Sequence, residues 1–156
     1  MKIRFSNLLE GLLRADFDLA KRHRLRLSCI MLRIRGLESA NRKQGADSPG
    51  ITKDESLELL SKVLRSSDII THYKEGQFLI VLLPMEDAER ATNVCQRIRS
   101  VFTKASPKKL VMSMGISNVS DRNVNSPLDL IHCAETALNR ALEKGGDSLC
   151  LWRDLT

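Results

Sequence analysis

The chain has 156 residues, 42% of them hydrophobic and 28% charged, and a formal net charge of +6. That length supports one domain with a buried core and not two, and an ordinary globular mix argues against a disordered chain. No apolar run approaches the roughly 20 residues that span a bilayer, and the opening MKIRFSNLLEGLLRAD lacks a continuous apolar stretch, so neither a membrane span nor a secretory leader is expected and the chain is assigned to the cytoplasm.

From Asn7 to Arg24 the apolar residues Leu8, Leu12, Leu13, Phe17, Leu19 and Ala20 recur at helical spacing, which predicts an amphipathic helix. Leu25 to Arg35 has an apolar middle and reads as a mostly buried strand. A short helix is expected over Gly36 to Gly45, then a loop through Ala46 to Gly50. A second helix runs from Thr52 to Ser66 with Leu57, Leu60, Val63 and Leu64 on one face. Asp68 to Tyr73 and Gln77 to Leu83 form two strands joined by a tight turn at Lys74-Glu75-Gly76, with Pro84 ending the second. A third helix covers Ala88 to Phe102, and Lys109 to Val119 alternates as a strand with Gly115 inside it. Ser126-Pro127-Leu-Asp129 opens a helix with a capping serine, a proline and an early acid; it ends at Gly145-Gly146, and Ser148 to Trp152 closes as a strand.

Positive charge gathers in Lys21 to Arg26, at Arg33 and Arg35, and at Arg97 and Arg99, a surface suited to anions in general. Aromatic residues are only 4%, which disfavours the stacking platforms of nucleic-acid binders. Cys29, Cys95, Cys133 and Cys150 form no CxxC pair and sit among apolar neighbours, as small buried hydrophobes in a reducing compartment do. His132 and Cys133 are adjacent but project about 100° apart on a helix, so no metal site is expected there.

Several segments together resemble one family. Asp68-Ile-Ile-Thr-His-Tyr-Lys-Glu-Gly-Gln-Phe78 resembles the DxxxRxGGDEF hairpin of diguanylate cyclases, followed by a matching Leu-Leu-Pro84. Asn7-Leu-Leu-Glu-Gly-Leu12 is similar to the family's DxLTGL opening, and Leu32-Arg-Ile-Arg-Gly-Leu-Glu-Ser-Ala-Asn41 to its LDIDxFKxIN segment. Gln96-Arg-Ile-Arg99, Val111-Met-Ser-Met-Gly-Ile116 and Ala134-Glu-Thr-Ala-Leu138 resemble ERIR, TVSIGV and ADxAL in the family's order. The resemblance implies a single GGDEF domain over 1–156, with an N-terminal helix (1–24) and a core (25–156). The implied class is α/β (α+β), nucleotidyl-cyclase-like, with a mainly antiparallel sheet of about five strands flanked by helices.

The departures fall on the chemistry. Family members join two GTP molecules, each 3′-hydroxyl attacking the other's α-phosphate, with Mg²⁺ held by carboxylates. The matched metal aspartate is Arg33, the second aspartate of that strand is Arg35, and the acidic ligand inside GGDEF is Gly76. Two like charges about 4 Å apart repel by roughly 4 kcal/mol at an effective dielectric of 20, so Arg33 opposes a cation there. Lys74 and Glu75 replace the motif's glycines, and the phosphate-gripping lysine and arginine fall on Leu142 and Gly146. Asn41 still matches a guanine-reading asparagine and Asp54 a further acid, as relics or as a residual GTP pocket. The implied reading is a chain with no catalytic residues, no metal and no cofactor.

A second motif is intact. Arg65-Ser-Ser-Asp68 resembles the family's RxxD product-binding site and is the only RxxD in the sequence; Arg97 matches an arginine that clamps the same ligand. An arginine can donate twice to the O6/N7 edge of guanine, and a carboxylate can accept from its N1–H and N2–H. Without the family register, Arg65 and Asp68 would be an ordinary exposed i,i+3 ion pair at a helix end. The expectation is therefore a bacterial, non-catalytic receptor that binds cyclic di-GMP at Arg65, Asp68 and Arg97 and relays its occupancy to a protein partner, with a ligand-linked homodimer as one form. The alternative is a scaffold that uses the fold for protein contact and binds no nucleotide.

Overall fold

The computed structural model describes residues 7–24, 26–37, 51–82, 88–106 and 110–155. In chain order the elements are α1 (Asn7–His23), β1 (Ser28–Arg35), α2 (Lys53–Val63), β2 (Ile69–Lys74), β3 (Gln77–Leu82), α3 (Ala88–Ala105), β4 (Val111–Asn118), α4 (Pro127–Glu143) and β5 (Leu149–Leu151), followed by a single 3₁₀ turn at Trp152–Asp154. The short helix expected beyond Leu37, Asn41 and Pro84 lie outside the described residues.

Local chemistry sets the ends. Thr52 caps α2 by accepting the Glu55 backbone N–H at 3.2 Å, while its hydroxyl donates to the Glu55 carboxylate at 3.1 Å. Ser126 caps α4 through the Asp129 N–H at 3.1 Å, with Pro127 in the first turn. Gly145 and Gly146, both at positive φ, close α4, with the Gly146 N–H on the Ala141 carbonyl at 3.1 Å.

The strands form a five-stranded sheet in the order β2-β3-β1-β4-β5. All pairings are antiparallel except β4 with β5, which run parallel, joined through α4. Alternation sends side chains to two layers. Ile30, Leu32, Ile34, Phe78, Ile80, Leu82 and Ile116 pack with Leu60 and Val63 of α2 and with Ile98 and Phe102 of α3. On the other face Cys29, Met31, Leu79 and Val81 pack with Leu13 and Phe17 of α1 and with Leu130, Ala134 and Leu138 of α4. Gly115 is required by this second layer, because a Cβ there would come within 2.2 Å of the Ala134 carbonyl and the Leu138 nitrogen of α4. The four cysteines are buried and free, and burial pushes the Cys95 thiol up to about 12, as expected of inert core residues.

The sequence reading needs small corrections. β1 begins at Ser28 rather than Leu25, and β5 ends at Leu151 because Trp152 turns into the 3₁₀ segment. The helix expected to reach Ser66 stops at Val63, with Leu64 extended at ψ 154. The Asp68 carboxylate draws the following backbone into its own turn, described below.

Candidate functional site

Two polar regions occupy opposite ends of β2. At the hairpin tip, β2 turns into β3 through Glu75 and Gly76. Gly76 has φ 71, its carbonyl accepts the Ile34 N–H at 2.7 Å, and a Cβ would lie 2.9 Å from the Ile34 carbonyl oxygen. The tip therefore sits against β1 so closely that only glycine fits without strain.

Directly paired residues share a face. Arg33 of β1 stands opposite Gln77 of β3 on one side and Ser113 of β4 on the other, all on the α4 face of the sheet. Gln77 is 2% exposed, and its Nε2 is the buried side-chain polar atom without a partner among the described residues. The Ser113 hydroxyl accepts the Asp147 N–H at 3.0 Å, and a Cβ on Gly146 would lie 3.4 Å from it. Leu142 packs into the same layer. Tyr73 reaches across to α4, its hydroxyl donating to the Glu135 carboxylate at 2.6 Å; burial and that bond push the phenol pKa upward.

These groups do not fit a magnesium ion. Mg²⁺ takes oxygen ligands, chiefly carboxylates, whereas Arg33, Gln77, Ser113 and Gly76 supply a cation, an unpartnered amide donor, a hydroxyl and no side chain at all. Among the described residues no three His, Cys, Asp or Glu side chains gather where they could hold a metal. Asp54 is exposed in the first turn of α2.

The other end of β2 begins at the Arg65–Asp68 turn. The Asp68 carboxylate accepts the Arg65 backbone N–H at 2.8 Å, and the Asp68 N–H donates to the Arg65 carbonyl at 3.0 Å. The motif is thus a self-closed turn between α2 and β2, not the last turn of a helix, and the aspartate holds the arginine's backbone in place. Arg65 is exposed and Asp68 half-buried. Arg97, exposed on α3, is brought to the same corner, its Nη2 donating to the Val63 carbonyl at 3.4 Å. That carbonyl belongs to the open C-terminal end of α2, where a cation is favoured. All three residues singled out in the sequence therefore meet at one corner, on the α2–α3 side of the sheet. No local pattern announces the Tyr73–Glu135 bond or the orphaned Gln77 amide, which depend on surroundings distant in the chain.

The model of the diguanylate cyclase GGDEF domain family matches residues 6–148. No curated protein matches the chain. Among solved structures, the active GGEEF domain of a diguanylate cyclase from Vibrio cholerae superposes with a TM-score of 0.77 at 24% identity, over 99% of this chain and all of that one. The GGDEF domain of DgcB from Caulobacter crescentus in complex with c-di-GMP gives 0.71 at 16% identity, over 94% and 86%. The diguanylate cyclase SiaD from Pseudomonas aeruginosa in complex with its activator SiaC gives 0.72 at 20% identity, over 96% of this chain and 58% of that one. At these identities the superpositions speak for the fold alone, and it is the family model that assigns membership. The chain belongs to the GGDEF domain family of the diguanylate cyclases.

Proposed function

We propose that this GGDEF domain is a non-catalytic receptor for cyclic di-GMP, which binds at Arg65, Asp68 and Arg97. The observation that carries the reading is the corner itself: the single RxxD of the sequence forms one exposed turn, and Arg97 reaches to within 3.4 Å of the carbonyl two residues before it. The Arg65 guanidinium suits the O6/N7 edge of a guanine, Asp68 its N1–H and N2–H, and Arg97 the phosphates. A DgcB GGDEF domain of the same fold is known in complex with c-di-GMP, which supports this ligand class.

Lack of turnover is the second half of the proposal. Arg33 and Gly76 stand where the family's motif has carboxylates, and the unpartnered Gln77 amide beside Arg33 calls for an acceptor rather than a cation. Signal output then requires a protein partner whose contact changes with occupancy; the SiaD–SiaC complex is one case of a relative that works with a second protein.

Two assays test the reading together. Incubation with GTP and Mg²⁺ or Mn²⁺ is expected to yield no cyclic di-GMP above a blank, and product would refute the non-catalytic half. The thermal midpoint is expected to rise with cyclic di-GMP, because a ligand that binds only the folded state stabilises it by about 2.7 kcal/mol at a hundredfold excess over Kd. An unchanged midpoint at high micromolar ligand would leave the nucleotide-independent scaffold.

A further inference from the structure

A cavity of about 370 Å³ opens between the C-terminal end of α1 and the turn after β4, lined by Ala20, Lys21, Arg24, Arg26, Val119 and Ser120. It lies on the α1–α4 side of the sheet, whereas Arg65, Asp68 and Arg97 lie on the α2–α3 side. Its floor is apolar: Ala20 and Val119 are buried, and the Val119 N–H is tied to the Leu27 carbonyl at 2.9 Å. Lys21, Arg24, Arg26 and Ser120 are exposed around that floor.

Helix formation accounts for part of this charge. Lys21 belongs to the last turn of α1, where the carbonyl end favours cations, and its Nζ lies 5.8 Å over the Phe17 ring. The same reasoning does not reach Arg24 or Arg26. Arg24 has φ 54, a left-handed backbone that suits glycine or asparagine better than arginine. Arg26 lies beyond the helix, in the chain leading into β1. Among the described residues no carboxylate lines the cavity: Asp18 is exposed a turn earlier on α1, and the Asp121 carboxylate is engaged by the Asn118 N–H at 2.8 Å.

The lining defines the occupant. The volume falls in the range of small-molecule sites, roughly 300–1,000 Å³, and is too small for a duplex or a folded domain. No aromatic side chain among the described residues lines it to stack on a base. Clustered cations over an apolar floor suit a compact group with several negative charges and many acceptor oxygens, while the Ser120 hydroxyl is spent on the Asn118 Oδ1 at 2.7 Å. We propose that this cavity binds a polyphosphate, either inorganic or the tail of a nucleotide whose base stays in solvent. The ligand is held through Lys21, Arg24 and Arg26, independently of the Arg65 corner.

Calorimetric titration of the full chain with sodium tripolyphosphate, free of divalent cations and at physiological salt, tests this. Saturable binding is expected, weakened at least about tenfold in Lys21→Gln/Arg24→Asn. Asparagine tolerates the left-handed backbone, so this variant should fold; Arg26→Gln, outside the helix, repeats the test at a second place. Arg65→Ala should bind tripolyphosphate as the wild type does. A nucleoside triphosphate binding as tightly identifies the tail of a nucleotide as the source, and tripolyphosphate binding alone identifies an inorganic polyanion; both support the proposal. It is overturned if no saturable binding occurs at millimolar tripolyphosphate, or if binding persists unchanged in both variants. It is also overturned if a short DNA duplex binds these residues more tightly with a steep salt dependence, the mark of a nucleic-acid surface.

Discussion

At the hairpin tip the backbone keeps a demanding geometry while the side chains offer a cation and an amide; at the other end of β2 the backbone is an ordinary turn whose side chains match a ligand motif. Gly76 holds φ 71 against the Ile34 carbonyl, yet Arg33, Gln77 and Ser113 stand around it. Arg65 and Asp68 are held by two local hydrogen bonds and leave the guanidinium at the surface. The difference separates what the fold requires from what chemistry requires. A tight turn packed on a neighbouring strand cannot change without strain, whereas clustered carboxylates contribute nothing to the sheet and repel one another without a metal. The scaffold can therefore stand when the tip's chemistry is absent, and the corner can still present its groups.

The comparison depends on one shared frame, and the largest effect comes from breaking it. Gly115→Val should cost about 3 kcal/mol or more, because its Cβ meets α4 backbone at 2.2 Å, and both ends should be lost together in denaturant unfolding. Next in size, Arg65→Ala or Asp68→Ala should weaken cyclic di-GMP binding by roughly tenfold to a hundredfold, since a charged hydrogen-bonding partner is worth about 1.5–3 kcal/mol; a fluorescence or calorimetric titration reads this. Gly76→Glu restores an acid at the tip yet should give no cyclase product, and the strained backbone should lower stability by about 1–2 kcal/mol in a thermal melt. Tyr73→Phe removes the bond to Glu135 and should cost about 1 kcal/mol in urea unfolding, with ligand affinity unchanged. Smallest of all, Arg33→Ala should alter cyclic di-GMP affinity by less than about twofold, because β2's six residues place the tip roughly 17 Å along the strand from the corner. A larger change would erase the distinction between the two ends.

Much of the fold was legible because its signals are local. Periodicity marked the helices, Ser126-Pro127 and Gly145-Gly146 bounded α4, and alternation with Glu75-Gly76 between two apolar runs marked the hairpin. The end of α2 was misplaced because propensity carries a helix through Ser66, while the Asp68 carboxylate competes for the backbone and turns it. The end of β5 was misplaced for a long-range reason: the Trp152 indole N–H donates to the Arg122 carbonyl at 3.0 Å, a contact no local pattern announces. At the corner, sequence could name Arg65, Asp68 and Arg97 only through family register; their meeting depends on how α3 lies beside α2. The orphaned Gln77 amide was illegible because an unmet donor is a property of surroundings, not of residue type.

We propose that cyclic di-GMP binds at the Arg65 corner and not at the hairpin tip. Calorimetric titration of cyclic di-GMP into the wild type, Arg65→Ala and Arg33→Ala tests it most directly. Saturable binding to the wild type is expected, with at least tenfold weaker binding to Arg65→Ala, about 1.4 kcal/mol or more, and near wild-type binding to Arg33→Ala. Binding that survives in Arg65→Ala and fails in Arg33→Ala would contradict it and move the ligand to the tip.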